Sequence, residues 1–215
     1  MKINTQFFNT VGGLLLSLSI LNAWFTPFDQ DEKKRIVFFG DSITAGYGLS
    51  TEQAFPALIQ QKIDSSEMAY QVINAGLSGE TSAGGLSRID WILKTKPDIF
   101  ILELGGNDGL RGLSLDETEK NLTTMIQKVR GRNPEVVVFV AGMQIPPNLG
   151  QEYTERFRTL FSKVAKANKT ELIPFLLENV GGEPELNLPD GIHPNVEGHQ
   201  IVATTVWQNL KKHLD

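Results

Sequence analysis

Beyond residue 35 the chain alternates short apolar runs with segments whose apolar residues recur at helical spacing. Ile36 to Phe39 (IVFF), Gln71 to Asn74, Ile99 to Leu104, Val136 to Val140 and Leu172 to Phe175 are strand candidates, each bounded by glycine, proline or polar residues. Between them lie Phe55, Leu58, Ile59 and Ile63, then Leu86, Ile89 and Leu93, then Leu122, Met125, Ile126 and Val129. Further on, Tyr153, Phe157, Leu160, Phe161 and Val164 mark one more helix, and Ile201, Val202, Val206 and Leu210 the last. Ser114 followed by Glu117 predicts a capping box at the start of the third helix, which should stop before Asn133 and Pro134. Strictly alternating strands and helices favour a parallel sheet, because parallel neighbours need crossover connections that pack helices on both faces. The pattern therefore predicts a three-layer α/β domain with five parallel strands, and ligands in such sheets bind beyond the carboxyl ends of the strands.

A different pattern precedes it. Lys2 is followed by a largely apolar run from Val11 to Phe25, VGGLLLSLSILNAWF, which has the length of a signal-peptide core and is short for a membrane span. We read residues 1–25 as an export signal or, because no clean small-residue cleavage site follows Ala23, as an uncleaved N-terminal anchor; an apolar helix docked on the domain is the plain alternative. Residues 26–34 read as a solvated linker and 35–215 as the folded domain. The expected location is accordingly periplasmic or extracellular, with membrane association through the N-terminal segment where it stays uncleaved.

Composition narrows the chemistry. The chain has 215 residues, enough for one substantial core. Its net charge of -5 is spread along the sequence without a basic stripe, so nucleic acid is not an expected partner. It contains no cysteine, which removes disulfides, thiolate metal sites and cysteine nucleophiles together.

The loops expected after the strands carry the candidate chemistry. After the first strand, Gly40 permits a sharp turn that leaves Ser42 at a helix start; taken alone, Ser42 could equally cap that helix. Neither of the glycine-rich phosphate-binding patterns is present, and Thr44 breaks the G-x-S-x-G elbow. Gly79 in the loop after the second strand and Asn107 in the loop after the third are weak signals separately, and Asn107-Asp108-Gly109 reads also as ordinary turn chemistry. Three such loops at one sheet edge would bring Ser42, Gly79 and Asn107 together. Near the C-terminus, His193 has a carboxylate, Asp190, three residues earlier, and Pro194 holds it at a helix entrance. His199 and His213 read as helix-surface residues, and no metal-ligand cluster accompanies them.

Taken together, FFGDSITAGYG (Phe38 to Gly48), NAGLSGETSAGGL (Asn74 to Leu86), LELGGNDGLRG (Leu102 to Gly112) and DGIHPN (Asp190 to Asn195) resemble, in order and spacing, the SGNH (GDSL) hydrolase superfamily, and within it the thioesterase I/lysophospholipase/arylesterase branch. The resemblance implies a flavodoxin-like sheet, Ser42 as nucleophile, His193 as base with Asp190 behind it, and an oxyanion hole from Ser42, Gly79 and Asn107. It implies a serine esterase acting on ester or thioester bonds of acyl substrates such as lysophospholipids, without cofactor or metal, and we expect a monomer. Leu110 beside the third loop and Met143, Ile145, Pro146 and Leu149 after the fourth strand would form an apolar wall for an acyl chain, or equally supporting packing. The competing readings are a carbohydrate acetylesterase of the same superfamily, a non-catalytic binding module that keeps the fold, and a flavodoxin-like electron carrier.

Overall fold

The computed structural model describes residues 33–215. Its five strands, β1 (Lys34–Gly40), β2 (Tyr70–Gly76), β3 (Ile99–Glu103), β4 (Val137–Ala141) and β5 (Glu171–Ile173), form one parallel sheet in the order β2-β1-β3-β4-β5. Place in the sheet explains each strand's composition. Central β3 is buried along its whole length and β1 from Ile36 onward, so both read as continuous apolar runs; β2 lies at an edge and exposes part of its residues. Within β1, successive side chains serve opposite faces. Phe38 meets Phe55 edge-on, with ring centroids 5.3 Å apart, while Phe39 points to the other layer, where the guanidinium of Arg88 sits 4.2 Å from its ring centroid. Each of these buried phenylalanines contributes about 1.5–3 kcal/mol by leaving water.

The helices are α1 (Ser42–Ala45), α2 (Phe55–Ser65), α3 (Ser82–Ile92), α4 (Gly106–Leu110), α5 (Leu115–Arg132), α6 (Gln151–Asn168) and α7 (Val196–Leu210). Helix α2 packs against α7, whereas α3, α5 and α6 form a row. With right-handed crossovers, the leftward step from β1 to β2 and the rightward steps that follow place these two groups on opposite faces. The result is the three-layer arrangement that the alternating pattern predicts, with the flavodoxin-like sheet that the family resemblance implies.

Four local expectations need amendment. Strand β5 ends at Ile173, because Pro174 cannot donate to the ladder, so Phe175 is not part of it. The Asn107-Asp108-Gly109 segment, open between a turn and a functional loop, is a short helix, α4. His199 is not on the helix surface: it is buried between α7 and α2, its Nδ1 accepts the backbone N–H of Phe55 at 3.1 Å, and its ring stacks on that of Phe55. The N-terminal N–H groups of a helix have no partner inside it, so His199 satisfies one of the orphans of α2. His213 is also partly covered, edge-on to Phe139 at 5.1 Å between centroids. At the start of α5, Ser114 accepts from the Glu117 backbone N–H at 3.4 Å, one half of the expected capping box.

No helix among the described residues is long and apolar enough to cross a membrane. Residues 1–25, read as signal or anchor, and most of the linker lie outside the described residues.

Candidate active site

The chain steps from β1 to β2 on one side and then to β3 on the other, so the carboxyl ends of β1 and β3 flank the crevice where the connectivity reverses. The turn after β1 is unusually tight. Gly40 is flanked by Gly76 and Glu103, and a Cβ on it would lie 2.1 Å from Thr44 Oγ1 and 2.4 Å from Glu103 Oε2. Closeness of these side chains, rather than a left-handed backbone, is what requires glycine here. Asp41 caps α1, its Oδ1 accepting from the Ile43 N–H at 3.0 Å. The cap is therefore Asp41 and not Ser42, whose hydroxyl is left free for another partner.

That partner is His193. Its Nε2 lies 2.9 Å from Ser42 Oγ, and its Nδ1 lies 2.7 Å from Asp190 Oδ2. The loop between β5 and α7 presents the ring: Asp190 Oδ1 accepts the backbone N–H groups of Ile192 at 2.9 Å and His193 at 3.0 Å, and Asn195 caps α7 directly afterwards through the Gly198 N–H. Partial desolvation opposes the charge of the exposed Asp190, yet the two backbone N–H groups and the imidazole outweigh it and hold the carboxyl at about 2. Asp190 is thus ionised at neutral pH. Tyr47 covers the outer side of His193, with ring centroids 4.5 Å apart.

The loops after β2 and β3 close the site and are tied to each other. Asp108, buried at the start of α4, accepts the Ser82 backbone N–H at 2.8 Å, the Ser82 hydroxyl at 2.6 Å and the Thr118 hydroxyl at 3.1 Å. Arg111 donates to the Gly79 carbonyl at 3.0 Å and reaches Asn107 Oδ1 at 3.4 Å. Gly79 has φ +79°, a left-handed value that L side chains rarely adopt. Asn107 Nδ2 donates one proton to Asp41 Oδ2 at 3.1 Å, which leaves its second proton for the crevice. Behind this layer lies Glu103, fully buried, whose Oε2 accepts from the Asp41 N–H at 3.2 Å and the Thr44 hydroxyl at 2.7 Å.

Ser42, His193 and Asp190 are therefore joined in one hydrogen-bonded series, and Gly79 and Asn107 belong to two loops locked together beside it. The five residues proposed for an apolar wall divide: Leu110, Pro146 and Leu149 are exposed, whereas Met143 and Ile145 are buried in the core. Leu149 faces the loop after β3, close to Gly112. Sequence reasoning missed Asp41, Glu103, Arg111 and Tyr47. All four sit within the quoted motif segments, and an acidic residue closing the apolar run of β3 was the most direct signal. Among the described residues no group of three or more His, Asp or Glu side chains is placed to hold a metal ion.

A serine, an imidazole and a carboxylate in series at the carboxyl edge of an open parallel sheet define a serine hydrolase. The chain belongs to the GDSL-like lipase/acylhydrolase family, whose sequence model matches residues 38–201. It is similar to esterase TesA of Pseudomonas aeruginosa, with 42% identity over 183 residues covering 85% of this chain and 90% of that protein. It is similar also to thioesterase 1/protease 1/lysophospholipase L1 of Escherichia coli K12, with 37% identity over 177 residues, 82% of this chain and 83% of that protein. Among solved structures, a crystal structure of TesA superposes with a TM-score of 0.79 over 83% of this chain and 99% of that one, at 42% identity.

Proposed function

We propose that this protein hydrolyses carboxylic esters and thioesters of acyl substrates through an acyl-enzyme formed on Ser42. The observation that carries the reading is the unbroken hydrogen-bond series Ser42 Oγ to His193 Nε2 at 2.9 Å and His193 Nδ1 to Asp190 Oδ2 at 2.7 Å. His193 takes the hydroxyl proton as Ser42 Oγ attacks the substrate carbonyl carbon, and Asp190 fixes the tautomer and stabilises the imidazolium. The carbonyl oxygen becomes an oxyanion, which accepts from the backbone N–H groups of Ser42 and Gly79 and from the free Nδ2 proton of Asn107. Collapse of that intermediate breaks the bond to the alcohol or thiol, which leaves with the proton from His193. Water then attacks the acyl-enzyme with His193 again as base, releasing the acid and restoring Ser42.

The names of the relatives, an esterase and a thioesterase/lysophospholipase, support a lipid-type acyl substrate. The exposed Leu110, Pro146 and Leu149 beside the oxyanion loops supply apolar surface for its chain. The same reading takes Lys2 and the apolar run from Val11 to Phe25 as an export signal or anchor, so that the enzyme meets lysophospholipids outside the cytoplasm. N-terminal sequencing of the protein recovered from the cell envelope tests that part.

The activity is tested with p-nitrophenyl esters from acetyl to palmitoyl, for the wild type beside Ser42→Ala. Turnover that disappears in the variant and peaks at medium or long chains supports the proposal. Cleavage of acetyl esters alone would move the assignment to a carbohydrate acetylesterase, and equal activity in the variant would refute the nucleophile.

A further inference from the structure

Two buried carboxyl groups, Asp41 and Glu103, lie directly behind Ser42 and take no part in the proton transfers described above. Their contacts run toward the oxyanion site. Glu103 Oε2 accepts the Asp41 backbone N–H and the Thr44 hydroxyl, which ties the turn before Ser42 to the end of β3. Asp41 in turn accepts the Ile43 N–H with one oxygen and the Asn107 side-chain amide with the other. A side-chain amide can lie either way round, and only one orientation presents N–H to an oxyanion. A carboxylate beside Asn107 decides the matter, because it accepts and cannot donate: the Nδ2 group must face Asp41, and Arg111, which only donates, faces Oδ1 from the other side.

We propose that Asp41 and Glu103 are positioning residues, a buried carboxyl pair that sets the Asn107 amide and the Ser42 backbone N–H together as oxyanion donors. This rests on the reading of Asn107 and Ser42 as oxyanion donors given under the proposed function. The charge state of the pair fits the role. Burial pushes Asp41 up to about 6, and burial together with the negative charge of Asp41 raises Glu103 well above the carboxylate range. Burial disfavours charge on both and most on the fully buried Glu103, so the negative charge of the pair belongs on Asp41, the member that touches Asn107. The second oxygen of Glu103, Oε1, has no hydrogen-bond partner, a cost that a buried carboxylate would feel far more than a neutral carboxylic acid.

The experiment is a double-mutant cycle on kcat and KM for p-nitrophenyl butyrate, with Asp41→Asn, Asn107→Ala and the double variant, and with thermal melting of each. The amide introduced by Asp41→Asn keeps an oxygen for the Ile43 N–H and turns a donor toward Asn107, so the Asn107 amide is driven into the wrong orientation. We expect kcat to fall about 10- to 100-fold, a part of the ~10²–10³-fold cost of deleting an oxyanion donor, with KM changed less than about threefold. In the Asn107→Ala background the same substitution should cost less than about threefold. Should Asp41→Asn not fold, Asp41→Ser, which can still cap α1 but is too short to reach Asn107, takes its place in the cycle. For Glu103, the neutral isostere in Glu103→Gln should recover most of the kcat lost in Glu103→Leu. An equal cost of the Asp41 variant in both backgrounds, or an undiminished kcat in Glu103→Leu, overturns the proposal. If instead Asn107→Ala alone leaves kcat unchanged, the failure belongs to the oxyanion assignment itself.

Discussion

Replacing His199 by asparagine should flatten the dependence of stability on pH in the mildly acidic range. In the folded protein the Nδ1 of His199 accepts the Phe55 N–H at 3.1 Å, which a protonated ring cannot do, and the ring is buried. Burial, with a smaller contribution from the charge of His193, lowers its pKa from 6.5 to about 4. Folding thus favours the neutral form: the contribution of His199 is complete above pH 6.5 and is lost as the pH falls toward 4. A gap of about 2.5 pH units, at ~1.4 kcal/mol each, makes the full loss about 3–4 kcal/mol, of which about 3 kcal/mol is gone by pH 4. Asp41 and Glu103 act in the opposite sense, because their raised values make the folded state the better proton binder and add stability as the pH falls. The wild-type profile is a sum of these effects, and the difference between wild type and His199→Asn isolates one of them. Asparagine offers an oxygen close to the position of Nδ1 and does not titrate. Urea unfolding at intervals from pH 7 to pH 4 gives the stability of both proteins by linear extrapolation. The advantage of the wild type should shrink by about 3 kcal/mol across that range, and a difference that does not change with pH would refute the reasoning.

Asn107→Ala should lower kcat by roughly 10²–10³-fold while Ser42→Ala abolishes turnover, and steady-state kinetics on one ester separates the two. Asp190→Asn leaves His193 without the acceptor that fixes its tautomer; kcat should fall by about 10²–10⁴-fold with little change in KM, checked on the same ester. Gly40→Ala places a methyl group 2.1 Å from Thr44 Oγ1 and 2.4 Å from Glu103 Oε2, within the most crowded part of the turn, and should cost about 3 kcal/mol or more in a denaturant titration. Leu149→Ala removes exposed apolar surface beside the oxyanion loops and should raise KM for octanoyl esters about 3- to 10-fold while leaving acetyl esters unaffected; equal changes for both would exclude Leu149 from the acyl site.

The number and parallel direction of the strands were legible because burial on both faces demands uninterrupted apolar runs, as in Ile36 to Phe39, and because helices intervene between all of them. Ser42, His193 and Asp190 were legible from their motifs, and the structure brings them into hydrogen-bonding contact. His199 was misread because histidine is a common surface residue, although it shares a helix face with Val202 and Val206 and that spacing pointed inward. The carboxyl pair was hidden for a different reason. The acid that ends the apolar run of β3 marks Glu103 in the sequence, but whether it turns to solvent or beneath a neighbouring turn is decided by the register of β1 against β3. Gly40 was predicted to be glycine for its backbone freedom, whereas the crowding that requires it is made by Thr44 and Glu103, which approach only in three dimensions.

Ser42 and His193 stand 151 residues apart and meet only through the loop that precedes α7. A ribosome that has released the first four strands displays a serine with no base within reach, so the growing chain is chemically silent however well its sheet has formed. In the proposed mechanism, hydrolysis therefore requires the loop before α7 to be in place, with α7 packed on α2. The onset of ester cleavage can therefore report when the C-terminal part of the chain has joined the sheet built by the first four strands.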